Sequence, residues 1–237
     1  MNQMSIQALR SFSGVGAVDL SAPETALVLI DMQRDYVGPG GFTVDRLRER
    51  GLEEAAQEYE DQVATAIANQ VRLLASARKR GQHVFHVRTV SRPGRQSGGL
   101  KIPNQWFDDD APGSGIIAEL APAKRESVVT KSCSGAFVGT NLEFLFRRFG
   151  ITSLVFAGVV TDGCVEQAVR QAHDLGFSCV LVSDACAALT KEIHDNALER
   201  LEHRRAHVVD TERALRSEPI AETTVATAHG PARVTLP

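Results

Sequence analysis

Apolar and β-branched residues gather into six short runs, at residues 26–32, 83–90, 127–130, 153–160, 178–183 and 206–209. Residues 53–80, 140–149, 163–175 and 191–204 instead carry apolar positions at helical spacing, and mostly close near a glycine or a basic residue. Strand-like runs alternating with helix-like ones predict an α/β fold with three layers, α/β/α, around a central, mostly parallel six-stranded sheet. Leu27-Val28-Leu29-Ile30 and Leu154-Val155-Phe156-Ala157 are apolar without a break. A strand with no polar face is covered on both sides, so these two belong at the middle of the sheet. Ligands of open α/β sheets bind at the carboxyl ends of such strands.

Two stretches interrupt the alternation. Residues 91–115, rich in glycine, proline and aspartate, hold the only tryptophan, Trp106. A connection of this length predicts a functional loop, either a lid or a segment serving a neighbouring subunit's site. Residues 217–237 show little periodicity and are expected to be a tail that is disordered or packs on another subunit. The expected division is an N-terminal extension (1–24), one α/β unit (25–216) and this tail (217–237), with no internal repeat.

Composition narrows the function classes. With 237 residues, 43% of them hydrophobic, the chain can bury a substantial single core. The net charge of -3 and the lack of any lysine or arginine block imply neither a nucleic acid nor an anionic membrane as partner, which leaves a small molecule. Arg10, Asp19 and Glu24 break up the first 24 residues, which lack the continuous apolar stretch of a secretory signal or membrane span. A cytoplasmic protein is expected. Cys133, Cys164, Cys179 and Cys186 form no CxxC pair, so neither disulfides nor a thiolate metal site are expected.

Three polar residues fall where predicted strands end. Asp31 follows the run Leu27 to Ile30, where a desolvated carboxylate can serve as a general base or simply cap the strand. Cys164 lies in Gly158-Val159-Val160-Thr161-Asp162-Gly163-Cys164-Val165, where a buried strand gives way to a helix. A helix start favours the thiolate and offers unpaired NH groups to an oxyanion, although most free cysteines are small buried hydrophobes. Lys131 closes the run 127–130, just before the small-residue turn Ser132-Cys133-Ser134-Gly135. It can stabilise a thiolate and a developing oxyanion, or merely be solvated. In one parallel sheet, the three side chains could converge.

Together, Ile30-Asp31-Met32-Gln33, Lys131 with Gly135-Ala136-Phe137, and the run from Gly158 to Val165 resemble the isochorismatase-like cysteine hydrolases over about residues 25–211. These include nicotinamidases, N-carbamoylsarcosine amidases, biuret hydrolases, ureidoacrylate amidohydrolases and isochorismatases proper. The resemblance implies a Rossmann-like topology and a triad of Asp31, Lys131 and Cys164. It also implies a non-proline cis peptide between Val159 and Val160, and an oxyanion hole made by the backbone NH groups of Val160 and Cys164. Gly135 stands where many members have serine, which predicts looser local hydrogen bonding. The Asp-x-His cluster of metal-binding nicotinamidases is replaced by His86-Val87-Arg88-Thr89-Val90-Ser91-Arg92-Pro93, so no catalytic metal and no cofactor are expected.

The reaction this implies is hydrolysis of a small linear amide, carbamoyl or ureido compound through a thioester. A metal-independent nicotinamidase or a vinyl-ether hydrolase is the alternative enzyme, and a noncatalytic binding or scaffold protein the alternative of another class. Tyr36, Arg88, Trp106, Phe107 and Phe137 could wall the pocket; equally, they could be core or lid packing, with Arg88 paired to an acidic residue. The resemblance further implies a homo-oligomer, dimer or tetramer.

Overall fold

The computed structural model describes residues 15–90, 109, 111–202, 204–216 and 218–221. Six strands, β1 (Thr25–Ile30), β2 (Val84–Thr89), β3 (Ser127–Lys131), β4 (Ser153–Val159), β5 (Ser178–Ala187) and β6 (His207–Val209), form one sheet in the order β3-β2-β1-β4-β5-β6. Every pairing is parallel. The order reverses between β1 and β4, and both of these strands are buried along their whole length, as their unbroken apolar runs require. Such a reversal opens a crevice at the carboxyl ends of the two strands.

Seven helices cover the sheet among the described residues: α1 (Arg34–Val37), α2 (Phe42–Arg48), α3 (Glu53–Arg80), α4 (Leu142–Arg148), α5 (Glu166–Asp174), α6 (Lys191–Leu201) and α7 (Thr211–Leu215). One face of the sheet packs Leu27, Leu29, Val155 and Val180 against Ala56, Val63, Leu73 and Leu74 of α3 and against Val44 of α2. The other packs Val28, Ile30, Phe85 and Phe156 against Phe146 of α4, Val169 of α5 and Leu201 of α6. Two hydrophobic cores on opposite sides of one sheet make the three layers. Local signals set several ends. Gly81, at φ +70°, closes α3 in the left-handed region, while Thr190 and Asp210 accept the NH groups of Ile193 and Arg213 to cap α6 and α7.

The structure departs from the sequence reading at several boundaries. The short helices α1 and α2 were not expected. Strand β5 runs on to Ala187 past Asp184, a polar residue that ends the apolar run but finds partners, since its carboxylate accepts the NH and hydroxyl of Thr211, both at 2.7 Å. The helix expected from 163 begins at Glu166 and is preceded by a single π-type turn, Thr161–Val165, in which Gly163 (φ -114°, ψ -105°) is not helical. Val18, within the expected N-terminal extension, is buried and exchanges backbone hydrogen bonds of 2.9 and 2.8 Å with Ile220.

Gly158, near the end of β4, has φ +138°, and a Cβ there would lie 2.2 Å from the carbonyl oxygen of Ile30. No side chain fits between these adjacent central strands. Gly158→Ala is therefore expected to lower unfolding free energy by about 3–5 kcal/mol, from backbone strain plus overpacking, read as a lower midpoint in urea. An unchanged midpoint would show that β1 and β4 can separate at little cost.

Candidate active site

The crevice between β1 and β4 is where the polar residues meet. Asp31 follows β1 at φ +55°, the one positive φ of a non-glycine residue among those described, and its side chain is fully buried. Aspartate tolerates that conformation better than most residues, and the turn it makes ends the strand. Lys131 is the last residue of β3, paired in register with Thr89 of β2. From there its long stem crosses β2 and brings Nζ to 2.8 Å from Asp31 Oδ2. The same Nζ lies 3.2 Å from Cys164 Sγ, 3.2 Å from the Cys133 carbonyl and 2.6 Å from Thr89 Oγ1. Cys164, half-buried, stands in the turn after β4, downstream of a cis peptide between Val159 and Val160. Thr161 Oγ1 lies 2.8 Å from Nδ1 of His194 in α6, which ties that turn to the helix layer.

The electrostatics fix the resting protonation states. Burial alone would pull the Lys131 pKa down, but its contacts with Asp31 first and then Cys164 overcome it and hold the ammonium above its ordinary range. Burial pushes the Cys164 thiol up to about 12, helped by the Asp31 carboxylate and only partly opposed by Lys131. Contrary to what a helix start would favour, the Cys164 thiol is harder to ionise than usual, because it stands in a desolvated turn facing a carboxylate. Burial, and then the proximity of Asp31 and Cys164, raise the Tyr36 phenol well above its usual value. At neutral pH Cys164 is therefore held as a thiol and Lys131 as an ammonium.

Two residues to which the sequence assigned no role complete the network. Thr89 Oγ1 accepts from Lys131 and donates to Asp31 Oδ1 at 3.0 Å. Gln33, fully buried, accepts the Thr89 NH through Oε1 at 2.6 Å and donates through Nε2 to the carbonyls of Thr89 and Ser114, both at 2.8 Å. It clips the end of β2 to the segment around the 3-10 turn Pro112–Ser114.

The other candidates separate. Tyr36 lies beside the triad. Arg88 is half-buried and paired, with Thr130 Oγ1 at 3.2 Å and the Asp109 carboxylate at 2.5 Å. Phe137 turns its ring into an aromatic cluster with Phe146 and Phe177, at centroid distances of 5.9 and 6.4 Å. Trp106 and Phe107, like most of 91–115, lie outside the described residues. In place of a serine, Gly135 makes room for Gln171, whose Oε1 accepts the Phe137 NH at 3.2 Å; a Cβ at Gly135 would come within 2.4 Å of that amide. Cys179 and Cys186 are buried core residues, and Cys133 is half-buried. Among the described residues, no group of three or more His, Cys, Asp or Glu side chains could hold a metal ion, and no helix is long and apolar enough to cross a membrane.

Residues 25–213, a span that includes all three polar residues, match the Isochorismatase domain. The chain belongs to the isochorismatase family. It is 30% identical over 210 residues to the isochorismatase family protein YecD of Escherichia coli O157:H7, covering 84% of this chain and 98% of that one. It is 28% identical over 189 residues to the ureidoacrylate amidohydrolase RutB of Serratia proteamaculans, covering 71% and 72% of the two chains. Among solved structures, an isochorismatase family protein from Desulfovibrio vulgaris superposes with a TM-score of 0.68 at 26% identity, over 81% of this chain and 96% of that one. The six-stranded parallel sheet is the isochorismatase-like α/β fold, and the protein is an isochorismatase-family hydrolase.

Proposed function

We propose that this protein is a cysteine-dependent amidohydrolase that cleaves a carbon–nitrogen bond of a small linear amide, carbamoyl or ureido compound through a thioester. The observation that carries the reading is the meeting of Lys131 Nζ with both Asp31 Oδ2, at 2.8 Å, and Cys164 Sγ, at 3.2 Å. Its resemblance to a ureidoacrylate amidohydrolase points the same way.

The protonation states decide how the reaction starts. Because the resting sulfur carries its proton, attack requires that proton to pass to Asp31 as substrate arrives. The thiolate then adds to the carbonyl carbon, and the backbone NH groups of Val160 and Cys164 hold the oxyanion, with Lys131 balancing the sulfur's charge. Asp31 returns the proton to the departing nitrogen as the carbon–nitrogen bond breaks. In the second half, Asp31 takes a proton from water, the hydroxide attacks the thioester, and the thiol leaves reprotonated. One carboxylate serves both halves, and no redox step occurs.

Intact-protein mass spectrometry of the enzyme mixed with a panel of ureido, carbamoyl and carboxylated amides tests this directly. The expected result is an acyl or carbamoyl mass on the peptide containing Cys164, with ammonia or amine released. Pyruvate formed from a vinyl ether without any adduct would replace this reading with the vinyl-ether one. Absence of thiol-dependent hydrolysis across the panel would favour a binding protein.

A further inference from the structure

The two oxygens of Asp31 have different neighbours. An ammonium has three hydrogens, and Lys131 Nζ lies within hydrogen-bonding distance of three well-placed acceptors: Thr89 Oγ1 at 2.6 Å, the Cys133 carbonyl at 3.2 Å and Cys164 Sγ at 3.2 Å. Asp31 Oδ2, 2.8 Å from Nζ, is fully buried and faces the ammonium as its ion-pair partner. Oδ1 is different, because it accepts the Thr89 hydroxyl at 3.0 Å. Its oxygen accepts from Lys131, and its single hydrogen goes to the carboxylate.

We infer that Thr89 is a positioning residue that, by donating to Asp31 Oδ1 while accepting from Lys131, holds the Asp31 carboxylate in the orientation in which it takes the proton of Cys164. This rests on the amidohydrolase reading above. Thr89 suits the task because β2 lies between β1, which ends at Asp31, and β3, which ends at Lys131. The hydroxyl therefore stands between the two charges. Gln33 holds the backbone of Thr89 through both its NH and its carbonyl, which keeps that hydroxyl from drifting along the strand. In the transfer itself the Sγ–H bond breaks and an O–H bond to the Asp31 carboxylate forms, while the Thr89 proton stays on Thr89. Without the hydroxyl, the carboxylate can rotate against Lys131, and the base loses its aim at sulfur.

Two substitutions separate this role from packing. Thr89→Val keeps the branched shape and removes the hydroxyl, whereas Thr89→Ser keeps the hydroxyl and removes the methyl. A misaimed base lowers kcat by about 10- to 100-fold with KM nearly unchanged. The expected order is thus Val severely impaired and Ser within about threefold of the unaltered enzyme, with both variants still unfolding cooperatively. A packing role predicts the reverse order. Because turnover depends on finding a substrate, the rate of Cys164 alkylation by iodoacetamide is the second readout, and it should fall in Thr89→Val and recover in Thr89→Ser. If Thr89→Val alkylates and turns over at the unaltered rate, or if serine is the worse replacement, the inference is overturned. Cys164→Ala is the control: if that variant is active, the amidohydrolase reading fails as a whole, whereas an inactive Cys164→Ala beside a fully active Thr89→Val removes Thr89 alone.

Discussion

Cys164→Ala is expected to reduce kcat by at least about 10⁴-fold, while the protein unfolds within about 1 kcal/mol of the unaltered chain. The two halves of that expectation have different origins. Turnover disappears because, among the described residues, no other cysteine can take over: Cys133 presents its carbonyl to Lys131, and Cys179 and Cys186 are buried in the core. Stability persists because Cys164 is only half-buried, in a turn whose position is set by its neighbours, including the Thr161 to His194 contact. Cys164→Ser should be nearly as inactive. A hydroxyl is far less acidic than a thiol, and a site that already pushes the thiol up to about 12 would oppose an alkoxide still more strongly. The check is steady-state turnover on the substrate found by mass spectrometry, set beside a thermal melt. An active Cys164→Ala protein would end the covalent mechanism.

Burial explains which parts of this architecture were readable from residues alone. Strands β1 and β4 were legible because both faces are covered and leave no polar residue in the run, and α3 because its apolar stripe is long and regular. Helices α1 and α2 were not, because they are short and separated by Gly38, Pro39, Gly40 and Gly41, residues that signal a turn in sequence. The turn at Cys164 was mistaken for the first turn of α5, since helical spacing carries back through Thr161–Val165 and only the backbone angles of Gly163 separate the two. Within the site, Asp31, Lys131 and Cys164 drew attention because each follows a predicted strand. Thr89 and Gln33 also sit at strand ends, yet a threonine and a glutamine carry no charge to mark them. Their role appears only when partners 42 and 56 residues away are in place.

The same network makes Asp31 costly to lose, for folding as well as for chemistry. In Asp31→Asn the buried ammonium of Lys131 has no counter-charge, and the two groups that could respond are Lys131 itself, by giving up its proton, and Cys164, whose thiol is freed from the carboxylate's repulsion. The second response would mask the first, so the stability effect is best measured in a Cys164→Ala background. There, Asp31→Asn is expected to lower unfolding free energy by about 3–5 kcal/mol near neutral pH, the usual consequence of stranding one partner of a buried ion pair. The pH dependence gives the sign away. With Asp31 present, the folded lysine holds its proton more tightly than the unfolded one, so the pair's contribution is complete below the ordinary lysine pKa and is lost as pH rises through the elevated one. With asparagine, burial dominates and the folded lysine holds its proton less tightly than the unfolded one. The unfolded state then binds more protons, and stability must rise as pH climbs towards about 10. Urea midpoints measured between about pH 7 and 10 should therefore rise for Asp31→Asn while those of its parent stay level. Parallel curves would mean that Lys131 is not held by Asp31, and that the charge balance on which the proposed chemistry depends is arranged some other way.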